Sequence, residues 1–194
     1  MSSTFSYFSG AFKKSWAVLY WLPTGYFFGT QFYHVKAISG RSMQPTLNPD
    51  SSTPRDVALF SRFAVHTLQD YGRDDIVTFR SPENPSRILI KRIIGVEGDT
   101  VKTLPPYPDK EVDVPQGHVW VEGDEHFVSD DSNRFGPIPA GLIESKLTML
   151  IWPLNRFGRL KPQVEVDTKP WDRDTINEQR RQETRHARVT TKTS

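Results

Sequence analysis

RILIKRIIGVEGD, residues 87–99, decides the fold class: from Arg87 to Val96 it is dense in branched aliphatic side chains, and it ends at the turn pair Gly98-Asp99. It reads as a β-strand. Strand alternation puts Lys91 on the face of Leu89 and Ile93 and sends Arg92 to the other. One basic residue is thereby turned toward the apolar side, unless both snorkel outward from an edge strand. Working outward, Val57 to Phe60, Ile76 to Phe79, Thr100 to Thr103, His118 to Val121 and Lys146 to Trp152 are further short runs rich in β-branched and aromatic residues. Turn formers separate them, among them Asn48-Pro49-Asp50, Tyr71-Gly72-Arg73-Asp74, Ser81-Pro82-Glu83-Asn84-Pro85 and Gly123-Asp124. Only Phe63 to Asp70 offers a short helix. The expectation is a mainly β domain over residues 38–160.

On the N-terminal side, after a short segment of residues 1–14, residues 15–33 read SWAVLYWLPTGYFFGTQFY and hold no Asp, Glu, Lys, Arg or His. That is close to the roughly 20 residues needed to cross a bilayer core. Trp16, Tyr20, Trp21, Tyr26 and Tyr33 suit headgroup depth, while Pro23, Gly25, Gly29 and Gln31 weaken the helix. A cleaved signal peptide and a buried amphipathic helix compete with an anchor. The run is longer and more aromatic than a signal-peptide core, so an uncleaved transmembrane helix is expected, with the bilayer as a partner. Lys13 and Lys14 precede it, but Lys36 and Arg41 follow, so charge does not give the orientation.

On the C-terminal side, residues 161–194 carry eight basic and six acidic side chains and almost no aliphatic residue after Val166. Such a composition predicts a solvated, disordered tail, with a short helix around Thr175 to Arg188 as the alternative. Over the whole chain of 194 residues, 25 basic and 23 acidic residues leave a net charge of +2, too balanced for a protein built to coat nucleic acid. There is no cysteine, which excludes disulfides, a thiol nucleophile and cysteine-ligated metals. His34, His66, His118, His126 and His186 show no HExxH spacing, and no phosphate-binding glycine pattern occurs. No metal or cofactor is expected.

Ser39-Gly40-Arg41-Ser42-Met43-Gln44-Pro45-Thr46-Leu47 places a serine between a glycine and a proline, in a bend that can expose a hydroxyl. By itself this is ordinary turn chemistry. A lysine turned toward an apolar face changes its meaning, because desolvation lowers the lysine's pKa until its neutral amine can take a serine proton.

These segments resemble the type I signal peptidases. SMQPTL looks like that family's nucleophile box, RDDIVTFRSP (73–82) like the strand box that follows, LIKRIIGVEGD like the lysine box, and GDEHFVSDDSNRFGPI (123–138) like the final box. The order is the family's, and within it the chain looks most like the mitochondrial inner membrane members. The resemblance implies a signal-peptidase-like antiparallel β domain with a serine endopeptidase activity. Ser42 falls at the nucleophile and Lys91 at the general base, and the Ser42 amide would donate to the oxyanion. Gly40 stands where bacterial members often add a serine hydroxyl. Ser129 matches the serine that orients the lysine, and Asp131 the structural acid. Asn133 replaces an arginine, for which Arg134 is the expected substitute. Glu125 and Asp130 add carboxylates that would favour the charged lysine and oppose the mechanism.

By the same resemblance, the substrates would be precursor proteins carrying hydrophobic sorting presequences, and Met43 would help receive them at the membrane face. The partner would be a sister catalytic subunit, and the site would face the intermembrane space from a single-pass anchor. Two other readings stay open: a catalytically silent scaffold, which Gly40, Glu125 and Asn133 permit, and a self-cleaving repressor, which would need a helix-turn-helix before the serine.

Overall fold

The strand expected from Arg87 to Val96 forms over Ile88–Gly95 and is the fifth member of a seven-stranded sheet. In the computed structural model, which describes residues 20–49 except 28 and 30, residues 54–160 and residues 173–191, ten strands are seen. They are β1 (Tyr33–Ala37), β2 (Val57–Ser61), β3 (Ile76–Arg80), β4 (Ile88–Gly95), β5 (Asp99–Lys102), β6 (Glu111–Asp113), β7 (His118–Glu122), β8 (Ile138–Pro139), β9 (Ile143–Trp152) and β10 (Val189–Thr191). Residues 20–27 are helical (α1), and α2 (Arg62–His66), α3 (Ser132–Phe135) and α4 (Arg173–Ala187) follow. The large sheet has the order β1-β2-β9-β3-β4-β7-β8 and the small one β10-β5-β6, with antiparallel pairing throughout.

Side-chain alternation explains why β3 lies at the centre. Ile76 joins one apolar cluster, with Ile38, Met43, Leu47, Ala58, Phe60 and Leu150, and Val77 and Phe79 join another, with Ile93, Val121, Ile138 and Ile143. Both faces of the sheet are thus covered. Phe60 and Phe79 are fully buried, each contributing roughly 2–3 kcal/mol of apolar burial. A third cluster, built on Trp120, Ile94, Val101 and Val114, joins the two sheets.

Two expectations stand differently against the structure. The first, the transmembrane helix of residues 15–33, falls partly outside the described residues. Residues 1–19 lie outside the described residues, and among the described residues no helix is long and apolar enough to cross a membrane. Tyr33, expected to close the anchor, instead opens β1 opposite Ser61, because the alternation from Tyr33 to Ala37 pairs with β2 as an edge strand. The second is the disordered tail. Residues 161–172 lie outside the described residues, but residues 173–191 form α4 and β10, which is strand-paired to β5. Low hydrophobicity misled here, because the described side chains of this segment are held by ion pairs and backbone pairing, with Val189 set against the third cluster.

Candidate active site

The loop between β1 and β2 is shaped by what buries its ends. Met43 and Leu47 insert into the core, and Gly40 takes φ +98°, a conformation that L side chains rarely adopt. Asn48 closes the loop: its Nδ2 donates to the Ile38 carbonyl at 3.0 Å, and its Oδ1 accepts from the Asp56 amide at 2.8 Å. Buried Asp56 in turn accepts from the Asn48 amide at 2.7 Å and is gripped by Arg156, which also donates to the Thr46 carbonyl. Ser42 is thereby set, half-buried, at the rim of a cleft of about 640 Å³ between this loop and β4. Met43 is 3% exposed, so it faces the core and the cleft floor rather than a membrane surface.

Across the cleft, Lys91 is 2% exposed and its Nζ donates to Ser42 Oγ at 2.7 Å. Arg92, one residue on, pairs with Asp124 instead. Burial pushes the Lys91 ammonium down to about 8, against the pull of Asp131, Asp130 and Asp124 and with the help of Arg87. Asp130 therefore opposes the shift as expected, but desolvation outweighs it. At pH 7.5 about a quarter of such an amine is neutral, against roughly one part in a thousand for an ordinary lysine. A neutral amine in contact with a hydroxyl is able to accept its proton.

The final box closes on the nucleophile loop through backbone contacts. Glu125 enters as a backbone residue, its amide donating to the Ser42 carbonyl at 3.0 Å. A Cβ at Gly123 would stand 2.5 Å from that same carbonyl oxygen and would collide with the Ser129 hydroxyl, so only glycine fits. Ser129 thus lies against the site, and among the described residues its buried Oγ has no hydrogen-bond partner. Asp131 caps α3 and accepts from the Gly123 amide at 2.9 Å and the Asn133 amide at 3.1 Å.

Asn133, buried where the family has arginine, donates to Asp131 at 3.2 Å and accepts from the Leu104 amide at 2.7 Å. Arg134 does not replace the lost cation: its guanidinium turns outward to Asp130 and Glu83. Cations come instead from elements that local pattern does not flag. Asp124 is held by Arg92 and by Arg185 of α4, and buried Glu122 by Arg188. Burial alone would raise Asp124, but Arg92, then Arg185, bring its carboxyl below the usual range. Among the described residues no cluster of His, Cys, Asp or Glu could hold a metal.

The sequence model of the family described as signal peptidase, peptidase S26, matches residues 13–104 and 102–152. A mitochondrial inner membrane protease subunit 2 from Danio rerio is 46% identical over 143 residues, covering 72% of this chain and 77% of its own. The Schizosaccharomyces pombe protein of the same name is 44% identical over 156 residues, 80% of this chain and 84% of its own. A solved signal peptidase I from Enterococcus faecalis matches 40% of this chain and 97% of that one at 26% identity, with a TM-score of 0.35, too low to bear on the fold.

Proposed function

The chain belongs to the signal peptidase family, peptidase S26, and from that premise we propose that it is a serine endopeptidase working through Ser42 and Lys91. The observation that carries this reading is the 2.7 Å contact between the Ser42 hydroxyl and a buried Lys91 amine whose pKa burial has lowered. Neutral Lys91 takes the Ser42 proton as Oγ attacks the scissile carbonyl. The resulting oxyanion is met by the Ser42 backbone amide, and Lys91 passes its proton to the departing amine. Water then attacks the acyl-enzyme, with Lys91 again as the base, and frees the serine.

The relatives are named for the mitochondrial inner membrane, and on that support the substrates are precursor proteins whose hydrophobic sorting signals emerge there. The enzyme is anchored by its N-terminal segment with the catalytic domain facing the intermembrane space, beside a sister catalytic subunit. The extended substrate lies along the cleft between β4 and the nucleophile loop, against the edge strand β1, with apolar subsites offered by Ile38, Ile88, Ile90 and Val128. Asp131 supports the site by fixing Gly123, and Ser129 packs against Gly123 without a hydrogen bond to the lysine among the described residues.

Ser42→Ala and Lys91→Ala should each abolish presequence cleavage with the fold intact, and Lys91→Arg should be nearly as damaging because a guanidinium stays protonated. Cleavage by any of the three at the wild-type rate would refute the pair. A wild-type chain that binds presequences without cutting them would establish the silent scaffold instead.

A further inference from the structure

The family match ends at residue 152, and α4 and β10 lie beyond it, yet α4 reaches the rear of the site. Arg185 is 7% exposed, and its Nη1 lies 3.4 Å from Asp124 Oδ1. Arg92 grips the same carboxylate, through Nε to Oδ1 at 2.9 Å and Nη2 to Oδ2 at 2.7 Å. Asp124 stands between Gly123, packed against the Ser42 carbonyl, and Glu125, whose amide donates to that carbonyl. Arg92 directly follows Lys91 in β4. One carboxylate between two guanidiniums thus ties the strand of the lysine to the loop of the serine. The helix is docked for this purpose at several points: β10 pairs with β5, Arg188 bonds Glu122, and His186 Nε2 lies 2.6 Å from Asp74 Oδ2.

We propose that Arg185 is a positioning residue for the Ser42–Lys91 pair: together with Arg92 it fixes the Asp124 carboxylate behind Gly123 and withholds that negative charge from the lysine amine. This rests on the peptidase reading above. Three carboxylates draw on the Lys91 ammonium, and each has its own partners. Asp131 is occupied by backbone amides, Asp130 by Arg87 and Arg134, and Asp124 by Arg92, Arg185 and the hydroxyl of Thr46. Around Arg185 itself, Arg73, Asp74 and Asp75 line one cavity that it borders, apart from the active-site cleft. Glu125, His126, Arg180, Arg181 and Arg188 line a second. Removing the guanidinium leaves Asp124 with one cation fewer, so its charge pulls harder on the lysine, and the neutral amine becomes scarcer at a given pH.

The test is kcat/KM for presequence cleavage by the full chain between pH 6 and 10. Arg185→Gln should move the acid limb to higher pH, with a loss of about threefold at pH 7, or half a unit, that closes by about pH 9.5. Arg185→Lys, which keeps the charge, should keep the wild-type limb. In an Asp124→Asn background, adding Arg185→Gln should move the limb no further. An unshifted limb, a loss equal at every pH, a shifted limb in Arg185→Lys or a further shift in the double variant would each overturn the proposal. Thermal unfolding of every variant identifies one that has merely lost its fold, and the remaining variants then decide. Full cleavage by Ser42→Ala would sink the serine–lysine pair itself. An unchanged limb in Arg185→Gln with cleavage still dependent on Ser42 sinks only the role of Arg185.

Discussion

Replacing Lys91 by methionine should make the protein more stable while leaving it unable to cleave. Burial brings this lysine from 10.5 to about 8 in the folded chain. A shift of about 2.5 units corresponds to roughly 3 kcal/mol, at 1.36 kcal/mol per unit. The sign follows from proton binding. Below about pH 8 both folded and unfolded chains carry the ammonium, so the native state bears the whole cost. Between about 8 and 10.5 the unfolded chain holds more protons, stability rises with pH, and above that window nothing is left of the effect. Methionine has a similar shape and no charge to desolvate. It loses the hydrogen bond to Ser42, worth about 1 kcal/mol, which leaves a net gain of about 2 kcal/mol at pH 7. For a chain of this size that is roughly 4–8 °C in Tm. Thermal unfolding of both proteins at pH 7 and at pH 10.5 reads the effect directly. A variant less stable than the parent at pH 7, or a gain that persists unchanged at pH 10.5, would refute the claim that Lys91 sits in a desolvated site.

The same lowered pKa sets the pH dependence of turnover: kcat/KM should rise with pH through a midpoint near 8, tracking the neutral amine, and a midpoint near 10.5 would show a solvated lysine. Gly123→Ala should displace the Ser42 backbone, since its Cβ would stand 2.5 Å from the Ser42 carbonyl oxygen. A misplacement of about 1 Å costs on the order of 10²-fold in rate, and the overpacking about 1–3 kcal/mol of stability. Adding Ser129→Gly should recover part of that stability and little of the rate, because the clash with the Ser42 carbonyl remains. Wild-type kcat/KM in Gly123→Ala would show that the loop is not held where the structure places it.

Where a run of residues carries its own pattern, the sequence could be read. The branched runs at 57–60, 76–79 and 118–121 became β2, β3 and β7, because a run dense in β-branched and aromatic residues between turn formers is visible within a single strand. Ser42 and Lys91, 49 positions apart, were paired by resemblance to family boxes and are found in contact. The two residues of β8 and three of β6 are too short to show a period. Tyr33 was read as the end of an apolar span because both an anchor and an edge strand begin with aromatics. The tail was misread for a different reason: its stability comes from Arg185 and Arg188 meeting acids 61 and 66 positions earlier, and such pairings leave no local signature. Arg134 was nominated for proximity to Asn133, yet a helical turn points it outward to Asp130. The clamp of Asn48, Asp56 and Arg156 was missed alike, since the last two stand 100 positions apart.

The most direct measurement is mass spectrometry of the protein quenched during turnover of an activated presequence ester. An acyl group should be found on Ser42 in the wild-type chain, and none in Lys91→Met, whose hydroxyl remains but whose base is gone. Acylation of Ser42 at an undiminished rate in Lys91→Met, or an acyl group on any other residue of the wild-type chain, would contradict the pairing of Ser42 with Lys91.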